Sequence, residues 1–199
     1  GETLGMAINK YSYVVVNPLP RFSNHQFQVS YQKIEHADNL DDIEHPSVRE
    51  CLRHTGISSG LEVHYTGDLP ARTGLGSSSS FTVGLLNALY GHQGQRVGKN
   101  NLARDACHVE QTLIQERVGC QDQYTCSHGG LVNIHYSTSG SIDVTRLKLT
   151  PDRFVDLQEH LMLFYTGLQR RAHDVIKEQL QKTNDGDLDS YLGEMKNMA

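Results

Sequence analysis

The chain has 199 residues, 37% of them apolar, with 18 basic and 23 acidic side chains and a formal net charge of −5. That length and apolar content suffice for one buried core plus part of a second domain and exclude a disordered chain. The basic residues are scattered, which excludes the electrostatic footprint of a nucleic-acid or anionic-membrane binder; no stretch has the length of a transmembrane helix, and nothing at the start resembles a signal peptide.

Four cysteines, Cys51, Cys107, Cys120 and Cys126, contain no C-x-x-C pair, which suits reduced thiols and a cytoplasmic location. Apolar periodicity predicts strands over 5–17, 26–35, 60–67, 130–136, 142–149 and 161–166, and helices over 46–56, 78–92, 101–117, 170–183 and 187–198. The order indicates an α+β layout, with 151–160 as a hinge between two domains. The first strand carries Asn9, Lys10 and Tyr11, which by chemistry alone are strand residues, two of them able to face a ligand.

The most informative stretch runs from Pro70 to Ser80. Gly74, Leu75 and Gly76 lead into Ser77, Ser78, Ser79 and Ser80, and the apolar positions Phe81, Val83, Leu85, Leu86, Ala88 and Leu89 follow with helical spacing. Such a loop feeds the free N–H groups of a buried helix start, where an anion is stabilised without a cationic side chain. The glycines permit positive φ, and the serine hydroxyls can cap the helix, bind phosphate oxygens or reach a magnesium ion. A flexible linker or a plain serine cap is the alternative. No lysine follows the glycines, so this is not a P-loop, and G-x-G-x-x-G is absent too.

In the helix expected over 101–117, Leu102, Ala106, Val109 and Leu113 form one apolar face, with Glu110 at its edge. A carboxylate there needs a partner: a metal ion, or a base such as Arg104 or Arg117. Next come Val118-Gly-Cys-Gln-Asp-Gln-Tyr124 and the Gly129-Gly130 turn. Asp122 could act as a general base on a substrate hydroxyl or simply satisfy local backbone N–H groups. Thr166, Gly167 and Arg170 follow a strand and could border a pocket or form an ordinary strand-to-helix turn. His108, Cys120, Cys126 and His128 match no standard zinc spacing, and no G-x-S-x-G elbow supports a serine hydrolase.

The P-x-x-x-G-L-G-S-S pattern resembles the second signature motif of the GHMP kinases, the superfamily of galactokinase, homoserine kinase, mevalonate kinase and phosphomevalonate kinase. V-G-x-Q-D-Q-Y followed by G-G, together with I-N-K-Y and T-G-x-x-R, resembles its sugar-kinase branch acting on D-glycero-D-manno-heptose 7-phosphate. The resemblance implies a ribosomal-protein-S5-domain-2-like N-terminal domain over 1–155, incomplete at its start, and the beginning of a ferredoxin-like C-terminal domain over 156–199.

It also implies ATP at Pro70, Gly74, Leu75, Gly76, Ser77, Ser78 and Ser79, magnesium on Ser78 and Glu110, and Asp122 beside the accepting hydroxyl. Thr166, Gly167 and Arg170 would border the substrate. The implied reaction is phosphoryl transfer to a small-molecule sugar phosphate in the synthesis of nucleotide-activated sugars for cell-envelope glycans. Another sugar such as fucose, a non-catalytic nucleotide- and sugar-binding sensor, or a structural unit forming a homodimer are the alternatives. The family's arginine- and glycine-rich N-terminal motif and its third, glycine-rich motif do not appear, so the chain is expected to be a piece of a longer protein.

Overall fold

The computed structural model describes residues 1–69, 74–164, 183 and 188–198. Two sheets emerge. β1 (Glu2–Met6), β6 (Leu131–Tyr136) and β7 (Ile142–Arg146) form an antiparallel sheet in the order β1-β6-β7. β2 (Ser12–Pro18), β5 (Leu61–Gly67), β3 (Phe27–Ser30) and β4 (Ile34–Ala37) form the second, ordered β2-β5-β3-β4, with β3 and β5 parallel and the other pairs antiparallel.

The expected strand over 5–17 is therefore two strands in different sheets. Both halves have strand composition, and only the tertiary pairing separates them: Met6 pairs with Leu131, whereas Ser12 pairs with Gly67. Asp68 clamps the second start, its carboxylate accepting from the Tyr11 N–H at 2.9 Å while its own N–H donates to the Tyr11 carbonyl at 2.9 Å. The expected strand over 26–35 is the β3–β4 hairpin, closed by the Tyr31 N–H on the Lys33 carbonyl.

The parallel β3–β5 pair needs a crossover, supplied by β4 and α1 (Pro46–Thr55). Pro46 suits the first helical turn, and Gly56 ends the helix in the left-handed conformation at φ 73°. α2 (Ser77–His92) is buried on several sides through Phe81, Thr82, Val83, Leu85, Leu86 and Leu89. It packs against β2, α1, α3 (Lys99–His108) and α4 (Gln121–His128). Phe27 and Val29 of β3 and Leu61 and Val63 of β5 alternate inward to meet it. A smaller cluster joins Ala103 and Cys107 of α3 to Tyr124 of α4 and to Val132 and Ile134 of β6.

Three further expectations change. The helix expected over 101–117 ends as α3 at His108 and continues as a π turn over Val109–Leu113, closed by the Ile114 N–H on the Val109 carbonyl. Gln115, at φ 62°, then breaks helical continuation. The hinge expected over 151–160 contains α5 (Pro151–Glu159), whose N-cap Thr150 accepts from the Arg153 N–H at 3.4 Å; the expected domain boundary at 155 falls inside this helix. Residues 161–164 lie outside any strand, while 165–182 fall outside the described residues. α6 (Asp189–Met198) corresponds to the last expected helix.

Gly5 is where β1 meets α4. A Cβ there would collide with the Thr125 hydroxyl and lie 3.3 Å from both Thr125 Cγ2 and Val132 Cγ2. Gly5→Ala should therefore lower stability by about 1–3 kcal/mol, the usual cost of an overpacked contact. Urea unfolding should show an earlier midpoint with an unchanged slope; an unchanged midpoint would mean that β1 can retreat from α4 at no cost.

Candidate functional site

Gly76, at φ 69°, is the N-cap of α2, and no side chain caps the helix. Gly74 is also left-handed, at φ 75°. The first N–H of this helix end to find a helical acceptor is that of Ser80, on the Gly76 carbonyl at 2.9 Å. The preceding N–H groups and the dipole of the 16-residue helix α2 together suit an anion. Among the serines, Ser78 is exposed and Ser79 is buried.

Glu110 is 1% exposed. The π turn displaces the helix ladder and carries this side chain inward, towards α2 and α4. Its Oε2 accepts from the Ser79 hydroxyl at 3.0 Å and from the Gln123 amide, and the Thr82 hydroxyl also engages the carboxylate. Oε1 is buried without a hydrogen-bond partner. Burial pushes the Glu110 carboxyl above its ordinary range, against the neighbouring polar side chains that favour the anion. The ion-pair alternative with Arg104 is not what forms: Arg104 donates to Asn101 at 3.1 Å.

Asp122 stands in the first turn of α4 rather than in the irregular turn that the flanking glycines led us to expect. Its carboxylate reaches the glycine- and serine-rich loop, because a Cβ on Gly76 would sit 3.3 Å from both Asp122 Cγ and Oδ2. Asp122 remains open to solvent on one side, yet partial desolvation raises its pKa. The next residue, Gln123, is 1% exposed and holds Glu110. One turn of α4 thus presents an open carboxylate to the loop and a buried amide to Glu110.

Gly74, Leu75, Gly76, Ser77, Ser78, Ser79, Glu110 and Asp122 therefore converge around the start of α2. Ser79, rather than Ser78, touches Glu110, and Ser78 uses its carbonyl to accept from Thr82 Oγ1 at 3.2 Å. Pro70, Thr166, Gly167 and Arg170 fall outside the described residues. Sequence reasoning missed Thr82 and Gln123 as partners of Glu110. Thr82 lies one turn beyond Ser79, and a helical phasing with Leu86 and Leu89 would have put all four on the inner face.

The fold is similar to that of a D-glycero-D-manno-heptose 1-phosphate kinase structure from Bacteroides thetaiotaomicron, which superposes with a TM-score of 0.68 at 21% identity, over 78% of this chain and 53% of that one. Residues 45–130 match the family model described as the GHMP kinases N terminal domain. D-glycero-alpha-D-manno-heptose 7-phosphate kinase of Campylobacter jejuni is 26% identical over 125 residues, covering 63% of this chain and 37% of the relative. The L-fucokinase/L-fucose-1-P guanylyltransferase of Bacteroides fragilis is 29% identical over 148 residues, covering 71% of this chain and 15% of the relative. The chain thus spans well under half the length of these two curated relatives.

Because the fold holds Glu110 above its ordinary pKa, the unfolded chain releases this proton first as pH rises. Its ionisation in the folded state is therefore destabilising, and the penalty grows as pH climbs out of the ordinary carboxylate range. Glu110→Gln, which keeps one acceptor oxygen, should raise Tm at pH 7 by about 2–4 °C, equivalent to roughly 1 kcal/mol. The gain should vanish near pH 4. A lower Tm at pH 7 would mean that the carboxylate has a stabilising counter-charge.

Proposed function

We propose that this domain is the nucleotide-binding part of an ATP- and magnesium-dependent sugar kinase, which transfers the γ-phosphoryl group to a hydroxyl of D-glycero-D-manno-heptose 7-phosphate. The observation that carries the reading is the Asp122 carboxylate lying against Gly76 at the open start of α2. It sets a proton acceptor beside the place where a terminal phosphate would be held. The heptose kinase likeness favours a heptose phosphate as acceptor; the fucokinase likeness, over a larger share of this chain, favours fucose as the second candidate.

The chemistry demands little covalent participation from the protein. Phosphoryl transfer depends on aligning the accepting oxygen with the phosphorus and on neutralising charge on the equatorial oxygens. The N–H groups of Ser77, Ser78 and Ser79 would meet phosphate oxygens, and Gly74 and Gly76 would let the backbone approach them closely. Asp122 would orient the sugar hydroxyl and take its proton at a carboxylate oxygen as the new O–P bond forms. Its raised pKa brings the carboxylate closer to the basicity that a proton acceptor needs at neutral pH.

The unpartnered Glu110 Oε1 fits a cation, as do the hydroxyls of the adjoining turn of α2. Ser78 and Glu110 would hold magnesium, with Ser79 fixing the carboxylate. When bound, the ion would shield the phosphate oxygens and help orient the terminal phosphate. The acceptor's remaining hydroxyls would be read by segments of the longer protein, with Thr166, Gly167 and Arg170 proposed among them. Such a kinase would work in the cytoplasm, where ATP is supplied.

In the full-length protein, Asp122→Asn should lower turnover by about two to four decades while leaving ATP affinity nearly unchanged. Steady-state kinetics with heptose 7-phosphate, fucose and galactose as acceptors, paired with calorimetric titration of a non-hydrolysable ATP analogue, would check this. Unchanged turnover would remove Asp122 from the mechanism, and nucleotide binding without transfer to any acceptor would favour a sensor.

A further inference from the structure

A concavity lies beside α3 and the start of α4. It is a cavity of about 470 Å³, and its lining includes Arg104, Cys107, Gln111, Cys120 and Tyr124. It does not include the glycine- and serine-rich loop, so the anion-binding reading leaves it without a role. Two of the chain's four cysteines open onto it. Cys107 comes from the last turn of α3, and Cys120 is the residue from which α4 starts. Cys107 packs in the smaller core cluster with Cys120 against it. The two side chains are hydrogen-bonded to each other, and the Gln111 amide donates to Cys120 Sγ at 3.3 Å.

We propose that Cys107 and Cys120 form a peroxide-oxidisable dithiol, in which Cys120 is the attacking sulfur and Cys107 resolves it to an intramolecular disulfide. The thiolate of Cys120 attacks one oxygen of hydrogen peroxide; the O–O bond breaks, giving a sulfenic acid and hydroxide, which takes up the proton that the thiol released to solvent on ionising, forming water. The Cys107 sulfur then attacks the sulfenic sulfur, and its proton leaves with the sulfenic hydroxyl as water. Peroxide is reduced and the two thiols are oxidised, with no other reactant required.

The two cysteines differ in the way this division of labour needs. Cys120 is half-buried and reaches the cavity, and the hydrogen bond from Cys107, aided by Gln111, lowers its pKa against burial. It also stands at the N-terminus of α4, where the dipole favours a thiolate. Cys107 is buried, and donating to its neighbour raises its pKa. The remaining cysteines lack these features: Cys51 is fully buried, and burial pushes the Cys126 thiol up to about 11. Disulfides in reducing compartments are typically transient, catalytic or redox-sensing, and this one would tether α3 to the residue two before Asp122. The inference does not depend on the kinase reading.

The test uses the reduced 199-residue chain, treated with hydrogen peroxide, alkylated in denaturant, digested and mapped by mass spectrometry. A Cys107–Cys120 linked peptide pair, two hydrogens lighter than the reduced peptides and separated by dithiothreitol, is expected, with Cys51 and Cys126 still alkylated. In Cys107→Ser, peroxide in the presence of dimedone should label Cys120 at least about tenfold faster than Cys126, because the thiolate is the reacting form. Absence of the linked pair in the unsubstituted chain, or links only between molecules, would overturn the proposal. Equal dimedone labelling of Cys120 and Cys126 would overturn the assignment of the attacking sulfur.

Discussion

The placement of the glycine- and serine-rich loop before α2 depends on one buried carboxylate. Glu110 ties together three segments that are distant in sequence: Ser79 and Thr82 from α2, the π turn that carries Glu110 itself, and Gln123 from α4. These contacts set the start of α2 against the first turn of α4. The same turn of α4 that donates an amide to Glu110 also brings Asp122 to Gly76. An apolar residue at 110 could fill the volume, but it would leave the Ser79 hydroxyl and Gln123 amide without their acceptor.

This arrangement is expensive for folding. Glu110 loses its hydration, one oxygen has no partner, and the Gln123 carbonyl oxygen is likewise buried without one. The Ser79 hydroxyl and the Gln123 amide, both donating to one carboxylate oxygen, recover part of the cost. Such local conflicts concentrate where a site needs a group that the fold alone would not choose. The π turn has the same character, since an i→i+5 bond replaces the better helical ladder and redirects one side chain. The last turn of α3 also carries Cys107, which packs in the smaller core cluster with Cys120 against it.

Much of this was legible in the residues. The helix after the glycine and serine loop starts at Ser77 against an expected 78, because two glycines followed by helix-phased apolar residues leave few alternatives. α1 and β5 follow their periodicity just as closely. Asp122 and Glu110 drew attention in the sequence as carboxylates with candidate roles, and the structure brings both to the start of α2, but the helix under Asp122 was not expected. In Gln121–His128 only Gln123 and Tyr124 are buried, so no apolar stripe announces a helix. The π turn has no sequence signature, and a run of four serines conceals which one turns inward until the phase of Thr82, Leu86 and Leu89 is applied. The division of 5–17 between two sheets is a tertiary fact: β composition looks the same whichever sheet receives it.

The central proposal is that Glu110, a buried and incompletely satisfied carboxylate, takes a magnesium ion at the loop. Its most direct test is a pH titration of the carboxyl-carbon NMR resonances of Glu110 and Asp122, assigned through Glu110→Gln and Asp122→Asn, with and without magnesium and a non-hydrolysable ATP analogue. Both carboxyls should titrate above their ordinary ranges in the free protein. Glu110 should fall sharply when the magnesium nucleotide binds, because a nearby cation favours the charged form. An ordinary Glu110 titration, or a raised one that magnesium nucleotide does not move despite saturating binding, would contradict the account.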